Sequence, residues 1–427
     1  MIASHNIFYV MITISDPSMK SSWSDLPFDI LLLVHQRLEL SQILASAAVC
    51  SSWYSAAATT GILPCRVPWL MRHHWTRGDT MTNECRSLLN PDKSYKVSFP
   101  SGSFQNCCGA SHGWLIASDE ISNLMLHNPF SSAVIPLPPV TDFASIKAIC
   151  GSDGSIKSYH FRGGDICIDG TYLGSWFYQK AVLSCAPSQG NDRCIAIIIL
   201  HDCNWLSYAK VGERSWHVAS IINRNEDFYA DCIYHTGKFY TLTMKGMVEM
   251  WDIDGSYEVK NKLVITNRDQ HKFTMMDKEK VLTRYLVSTP WGDLLQVRLL
   301  LAYRWEKCPG NVKVKIGRVD LKNCCMEELK LETALQEHAV FLGQNHSTCL
   351  PTTEFHELRP NCIYLTTPLL TQEEFFGTRR HGLRGVRIYD LVNGTLEDAF
   401  TNCACDGESI SPSNLVWITP NHCNDNL

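Results

Sequence analysis

The 427-residue sequence lacks most of the patterns that would point to chemistry or to a membrane. No Cys-x-x-Cys pair occurs among its 19 cysteines, so the ligand spacing of a structural zinc site is absent. No G-x-S-x-G, H-E-x-x-H or G-x-x-x-x-G-K-[ST] pattern appears, which leaves hydrolase, zinc-peptidase and nucleotide-loop chemistry without their usual residues. No apolar run approaches the roughly 18 residues needed to span a bilayer. Positive charge is not in excess. Against 43 Asp and Glu stand 38 Lys and Arg, a formal net charge of -5, and a sequence-blind grip on nucleic acid needs clustered cations instead. Disorder is excluded as well, because 45% of the residues are hydrophobic and 19% charged.

The features that remain are individually bland. The odd number of cysteines and their scattered spacing suit reduced thiols that behave as small buried apolar groups. Arg379, Arg380, His381, Arg384 and Arg387 form the densest basic patch and, beside Gly382 and Gly385, read as a solvated loop. His201-Asp202-Cys203 and the pair His73-His74 near Cys85 are explained by chance composition, and Glu327-Glu328 and Glu373-Glu374 by solvated surface. Asn345-His346-Ser347 and Asn393-Gly394-Thr395 match the glycosylation sequon, which has no meaning in the cytosol. The apolar run Ile7 to Ile14 has neither a basic flank nor a small-residue cleavage site and reads as a tail rather than a signal peptide. No cofactor, metal, nucleic acid or membrane partner is expected, and no catalytic residue.

The chain changes character near residue 62. Leu26 to Ala58 is rich in Leu and Ala and has no Gly, whereas beyond Gly61 turns marked by Gly, Pro, Asn and Asp separate strand-like runs. The head reads as three short helices. Pro27 suits the first helical position, where its missing N–H is not needed, and Asp25 and Asp29 favour the positive end of the helix dipole. Ile30, Val34 and Leu38 lie four apart with Leu31 and Leu33 beside them, so one broad face is apolar. Ser41 to Val49 makes a second helix, and a third starts near Ser51 and carries Trp53. About 40 residues bury too little surface to be very stable alone. The face is therefore completed either by another protein or by packing on the body.

The body repeats a unit in which a strand starts near a Gly and an aromatic and a second strand ends in an Asn or Asp between apolar neighbours. Gly113 to Asn128 and Gly237 to Asp252 are the clearest copies. The second-strand markers fall near 128, 210, 252, 320 and 390, with gaps of about 42 residues, its double, or about 70 where loops are inserted. A period of about 40–50 residues with three or four strands is that of a propeller blade, and residues 105–420 would hold roughly six or seven. Ile195 to Leu200 reads as a buried strand, the stretch 141–180 fits the repeat poorly, and Trp205, Trp216, Trp251 and Trp291 either pack between blades or line a binding face.

These residues carry a resemblance. Trp23-Ser24-Asp25-Leu26-Pro27-Phe28-Asp29-Ile30-Leu31 followed by Ala48-Val49-Cys50-Ser51-Ser52-Trp53-Tyr54-Ser55-Ala56 looks like an F-box. The body resembles the KIB-type, Kelch-like β-propeller that follows the F-box in a large plant family. It does so through Leu126-His127-Asn128-Pro129-Phe130, Tyr234-His235-Thr236-Gly237-Lys238-Phe239-Tyr240, Phe341-Leu342-Gly343-Gln344-Asn345-His346-Ser347 and Asn361-Cys362-Ile363-Tyr364-Leu365. The resemblance implies a mainly β chain with a tail at 1–20, a three-helix F-box at 21–62, a linker with first strands at 63–104, a propeller at 105–420 and a tail at 421–427.

Functionally it implies a non-enzymatic substrate receptor of an SCF-type ubiquitin ligase in the cytoplasm or nucleus. Such a receptor binds a Skp-like adaptor, and through it cullin, by the F-box, and an unknown target protein by the propeller. Position by position, the adaptor contacts would be Leu26, Pro27, Ile30, Leu31, Val34, Leu38, Val49, Cys50 and Trp53. Some of these must instead hold the helices together. Leu40-Ser41-Gln42-Ile43 lacks the charged residues that many F-boxes carry there, which would weaken adaptor binding. The alternatives are a stand-alone propeller with a vestigial F-box and, further off, a propeller enzyme.

Overall fold

The computed structural model describes residues 23–38, 40–59, 67–75, 81–88, 90–97, 99, 106–162, 166–187, 193–200, 204–222, 227–253, 260–265, 279–302, 312–368, 384–399 and 415–419. Two compact units divide after Pro64. In the head, a 3-10 turn at Trp23–Asp25 precedes α1 (Phe28–His35), α2 (Leu40–Ala47) and α3 (Ser51–Ala58). Among the described residues no helix is long and apolar enough to cross a membrane.

The body is built of strands. β1 (Trp69–Trp75), β2 (Met81–Ser87) and β3 (Asn90–Lys96) come first, then β4 (Asn106–Ser111), β5 (Trp114–Ser118), β6 (Leu124–Asn128) and β7 (Ala133–Pro136). β8 (Ile146–Cys150), β9 (Ile156–Phe161) and β10 (Ile166–Asp169) lead into α4 (Gly170–Phe177). β11 (Tyr178–Leu183), β12 (Ile195–Leu200), β13 (Trp205–Lys210) and β14 (His217–Ile221) follow, then β15 (Tyr229–His235), β16 (Lys238–Thr243), β17 (Val248–Asp252) and β18 (Lys260–Ile265). β19 (Glu279–Ser288), β20 (Leu294–Ala302), β21 (Val312–Asp320) and β22 (Cys325–Glu328) precede the short α5 (Leu331–Ala334). β23 (His338–Leu342), β24 (Thr348–Pro351), β25 (Cys362–Pro368), β26 (Arg384–Asp390), β27 (Thr395–Asp398) and β28 (Leu415–Ile418) complete the chain.

Four sheets are simple antiparallel meanders of four strands, β4 to β7, β11 to β14, β15 to β18 and β19 to β22. A fifth has the order β24-β23-β25-β26-β27, with β23 and β25 parallel. The sixth is built from both ends of the body, because β28 pairs with β1 in the order β28-β1-β2-β3. First strands meet from sheet to sheet: β28 with β4, β4 with β11, β11 with β15, β15 with β19, β19 with β24, and β25 with β28. The ring is therefore closed, and the sheets form a propeller. The poorly fitting stretch folds as a three-stranded sheet of its own, β10-β9-β8, with α4 packed on it.

Apolar cores lie between neighbouring sheets, and β12 shows why its sequence is continuously hydrophobic. Ile195, Ile197 and Ile199 enter the core shared with β15 to β17, whereas Ala196, Ile198 and Leu200 enter the core shared with β5 and β6. A strand covered on both faces has no polar side to present. The tryptophans take the packing role. Trp251 is 1% exposed and its indole donates to Thr241 Oγ1 at 2.8 Å, while that of Trp216 donates to Pro138 O at 2.9 Å.

The repeat markers are strand ends. β6, β13, β17, β21 and β26 stop at Asn128, Lys210, Asp252, Asp320 and Asp390. The Asp320 and Asp390 carboxylates each accept two backbone N–H groups from the turn that follows, and those bonds hold both below the ordinary aspartate pKa. The Gly-aromatic starts are hairpin turns. His112-Gly113 and Thr236-Gly237 all have positive φ, the pairing a two-residue type I′ turn requires.

Two expectations need correction. The end of the basic patch is strand, not loop: Arg384 and Arg387 lie on β26, and Arg387 Nη1 is 2.5 Å from Asp398 Oδ1 on β27. Residues 379–383 are outside the described residues, as are His201-Asp202-Cys203, Glu373-Glu374 and the run Ile7 to Ile14. Of the thirteen described cysteines, all unbridged, seven are buried, but Cys150, Cys167, Cys324 and Cys325 are exposed on the short outer strands and turns.

An ion pair is sealed where the first strands converge. Lys180 on β11 pairs with Asp231 on β15, both buried, and its Nζ also donates to Gly343 O at 3.2 Å after β23. Asp231 accepts Leu286 N from β19 at 2.7 Å and Cys232 N at 2.9 Å. Burial holds the Asp231 carboxyl above its ordinary pKa, against the pull of Lys180 and these N–H groups. Four sheets are thus tied through one carboxylate and one ammonium. Lys180→Met leaves Asp231 buried without its partner and is expected to lower stability by about 3–5 kcal/mol, read as a drop in the urea midpoint of the full chain. An unchanged midpoint contradicts the role of the pair.

Candidate functional site

The head separates its apolar residues into two groups. Leu31 and His35, one helical turn apart on α1, are buried with Leu40 and Ile43 of α2 and with Ala56 and Ala57 of α3. His35 Nε2 lies 2.8 Å from Ser46 Oγ, which donates to Ile43 O at 2.7 Å. The His35 ring meets Trp53 edge-on, at 5.8 Å between centroids, and the Trp53 indole donates to Trp23 O at 3.1 Å, tying the first turn to α3. Burial lowers the His35 pKa below its ordinary 6.5.

The second group faces outward. Trp23, Phe28, Ile30, Leu33, Val49 and Tyr54 are 38–59% exposed. Isolated exposed apolar residues need no explanation, but here six large ones lie on a head of three eight-residue helices.

Of the nine adaptor-contact candidates, Pro27, Ile30 and Val49 are exposed, and Leu26, Val34, Leu38, Cys50 and Trp53 are partly exposed. Leu31, at 1% exposure, belongs to the helix core. Pro27 is the N-cap rather than the first helical residue, with its carbonyl accepting Ile30 N and Leu31 N. Leu38 is not on the α1 row, because the helix stops at His35 and tightens into i→i+3 turns. Trp23, Phe28, Leu33 and Tyr54 are equally exposed and lie outside the nine candidates. Periodicity shows that such residues are apolar, not which side their own helices leave uncovered.

The propeller carries a second candidate surface where several first strands end. His346, in the segment after β23, donates its backbone N–H to Ala110 O on β4 at 2.6 Å. Its Nε2 sits 3.0 Å from Tyr234 O and 3.3 Å from Tyr234 N, so either neutral tautomer bonds β15. Burial, with His112 nearby, presses its pKa down to about 4. Ser111 Oγ meets both Leu183 O and Leu183 N across from β4 to β11. Gly343 admits no side chain, because a Cβ there would overlap the Thr366 hydroxyl. Phe341-Leu342-Gly343-Gln344-Asn345-His346-Ser347 is therefore a crossing that stitches sheets together. Asn345 within it is 2% exposed, which closes that sequon to glycosylation. Among the described residues no cluster of three or more His, Cys, Asp or Glu could hold a metal ion.

The family model described as F-box-like matches residues 23–63, and the one described as KIB1-4 beta-propeller matches residues 85–390. A protein of Arabidopsis thaliana whose name describes it as an F-box protein is 34% identical over 368 residues, covering 81% of this chain and 86% of that one. Another from the same plant is 34% identical over 311 residues, covering 67% and 70%. The solved Cps50 (Swd1) beta-propeller domain of Myceliophteria thermophila is 9% identical at a TM-score of 0.28, covering 78% of this chain and 85% of that domain, a likeness too loose to argue from.

The buried imidazole makes the head sensitive to acid. With the folded pKa of His35 depressed, its contribution to stability is complete above about pH 6.5 and is lost as the pH falls toward the folded value. An NMR titration of His35 is expected to give a midpoint below 6.5. Ser46→Ala, which leaves the ring nitrogen without its partner, is expected to cost about 1–3 kcal/mol in the head. A midpoint at or above 6.5 contradicts the burial.

Proposed function

This chain belongs to the plant F-box proteins that carry a KIB1-4 beta-propeller, and on that premise we propose that it is the substrate-recognition subunit of an SCF-type ubiquitin ligase. The head docks a Skp-like adaptor, which links it to cullin, and the propeller holds the protein to be ubiquitinated, in the cytoplasm or nucleus. The chain itself catalyses nothing. By tethering, it raises the concentration of the target's lysines at the ubiquitin-carrying enzyme, and that proximity is its contribution to rate.

The observation that carries this reading is the outward apolar group of the head. Trp23, Phe28, Ile30, Leu33, Val49 and Tyr54 are exposed, as is Pro27 of the Leu-Pro pair, while a separate set of residues, Leu31 among them, is buried between the helices. Large aromatics on a rigid frame supply most of the energy of a typical interface, and helix faces of this kind seat well in a partner's groove. Leu26, Pro27, Ile30, Val34, Leu38, Val49, Cys50 and Trp53 are proposed as adaptor contacts, with Leu31 supporting them from beneath.

The test is co-purification of a plant Skp-like adaptor with the full chain. The intact protein is expected to retain the adaptor. Leu26→Ala with Pro27→Ala is expected to abolish capture, and so is Ile30→Glu with Leu33→Glu, which alters exposed positions only. Capture that survives both changes, or no capture where a control F-box protein binds, overturns the reading in favour of a stand-alone propeller.

A further inference from the structure

Two cysteines face each other across the hairpin of β11 and β12. The pairing that sets Leu183 opposite Ala196 runs on past both strands, with Ser184 N donating to Ile195 O at 2.9 Å and Ile195 N to Ser184 Oγ at 2.9 Å. The next opposite pair in that register is Cys185 and Cys194. Their side chains lie on one face, since Cys194 belongs to the core that β12 shares with β5 and β6, and Cys185 packs against it. The Cys194 thiol donates to Cys185 O at 3.1 Å, and the two thiols are themselves in hydrogen-bonding contact. On its other side Cys194 is pinned by Val211 N, which donates to Cys194 O at 2.8 Å.

Ser184 and Ile195 take the hydrogen-bonded position of the ladder, so Cys185 and Cys194 take the position beyond it that exchanges no backbone bonds. Opposite residues at such a position are about 4.5 Å apart between Cα atoms, with their side chains close, a spacing that a disulfide bridges. The two thiols differ in access. Cys185 is partly exposed, whereas Cys194 is buried. A reagent in solution therefore meets Cys185, and reaches Cys194 only through it. Burial pushes the Cys194 thiol up to about 12. That keeps it protonated until it reacts and makes it a poor leaving group once it is bridged.

We propose that Cys185 and Cys194 form a thiol–disulfide modification site, converted to an internal disulfide by a low-molecular-weight disulfide of the glutathione class. The Cys185 thiolate attacks one sulfur of that disulfide, forms a mixed disulfide with it and releases one small thiolate, which takes up a proton from solvent. Cys194 then gives up its proton and attacks the Cys185 sulfur, and the second small thiol leaves. Two protein thiols are oxidised by two electrons, and one small disulfide is reduced to two thiols. Excess reduced thiol runs the sequence backwards, to the free thiols of this structure. The bond fixes the end of the β11–β12 hairpin two residues beyond Leu183, whose backbone N–H and carbonyl both meet Ser111 Oγ of β4. The site is independent of the ligase reading.

The experiment incubates the full chain with mixtures of reduced and oxidised glutathione, quenches in acid, alkylates the remaining thiols and maps the peptides by mass spectrometry. The wild type is expected to give a peptide pair joined through Cys185 and Cys194, released by dithiothreitol, with little glutathione on Cys185. Cys194→Ser blocks the second step. The mixed disulfide of Cys185 with glutathione is then expected to rise by about tenfold or more, because the internal thiol competes at a far higher effective concentration than free glutathione. In Cys185→Ser no glutathione is expected on the buried Cys194. A wild type that carries as much glutathione on Cys185 as Cys194→Ser does overturns the proposal. So does a first internal disulfide that joins other cysteines, and so do thiols at 185 and 194 that stay free in mixtures that modify the exposed Cys150 and Cys324. The wild-type map decides the matter alone if either variant fails to fold.

Discussion

A four-stranded sheet has two faces and cannot cover either by itself. In this chain each face is covered by the next sheet, and the ring must close for the last face to be covered at all. β28, only four residues long, performs that closure by pairing with β1, so the sheet at the seam depends on strands more than 300 residues apart. The same demand accounts for the unbroken hydrophobicity of β12, which serves two cores. It also accounts for the polar hub of Lys180 and Asp231: where first strands crowd together, backbone and side-chain polar groups lose water and must find each other.

Much of this was legible in the sequence because turns and strand ends use side chains with a local job. Asp320 and Asp390 stop their strands by accepting the N–H groups of the next turn, so they recur at the repeat. The first strands were less legible. β4 reads Asn-Cys-Cys-Gly-Ala-Ser, with every residue buried, no alternation and no branched or aromatic side chain. Its composition answers to tight approach rather than to strand propensity: a Cβ on Gly109 would overlap the Ala181 carbonyl of β11. Long-range neighbours were equally hidden, since Asn345 and Trp417, which line one small cavity, are 72 residues apart and come together only when the ring closes.

In the head, sequence spacing identified an apolar face but put Leu38 on a row with Ile30 and Val34 and placed Leu31 beside it on the same face. α1 ends too early for that, and Leu31 turns inward. What the helices leave outside is a set of aromatic and aliphatic side chains, Trp23, Phe28, Ile30, Leu33, Val49 and Tyr54. The head spends Leu31, Leu40 and Ile43 on its own core and shows Trp23, Phe28 and Tyr54 to solvent, and that exposed set is the surface proposed for the adaptor.

Hydroxyl-radical footprinting of the full chain, alone and saturated with a Skp-like adaptor, tests that claim at the side chains themselves. Labelling of Trp23, Phe28 and Tyr54 is predicted to fall sharply when the adaptor is present, while Leu31 and Ile43 stay unlabelled throughout. Undiminished labelling of the three aromatics at saturating adaptor would contradict the account.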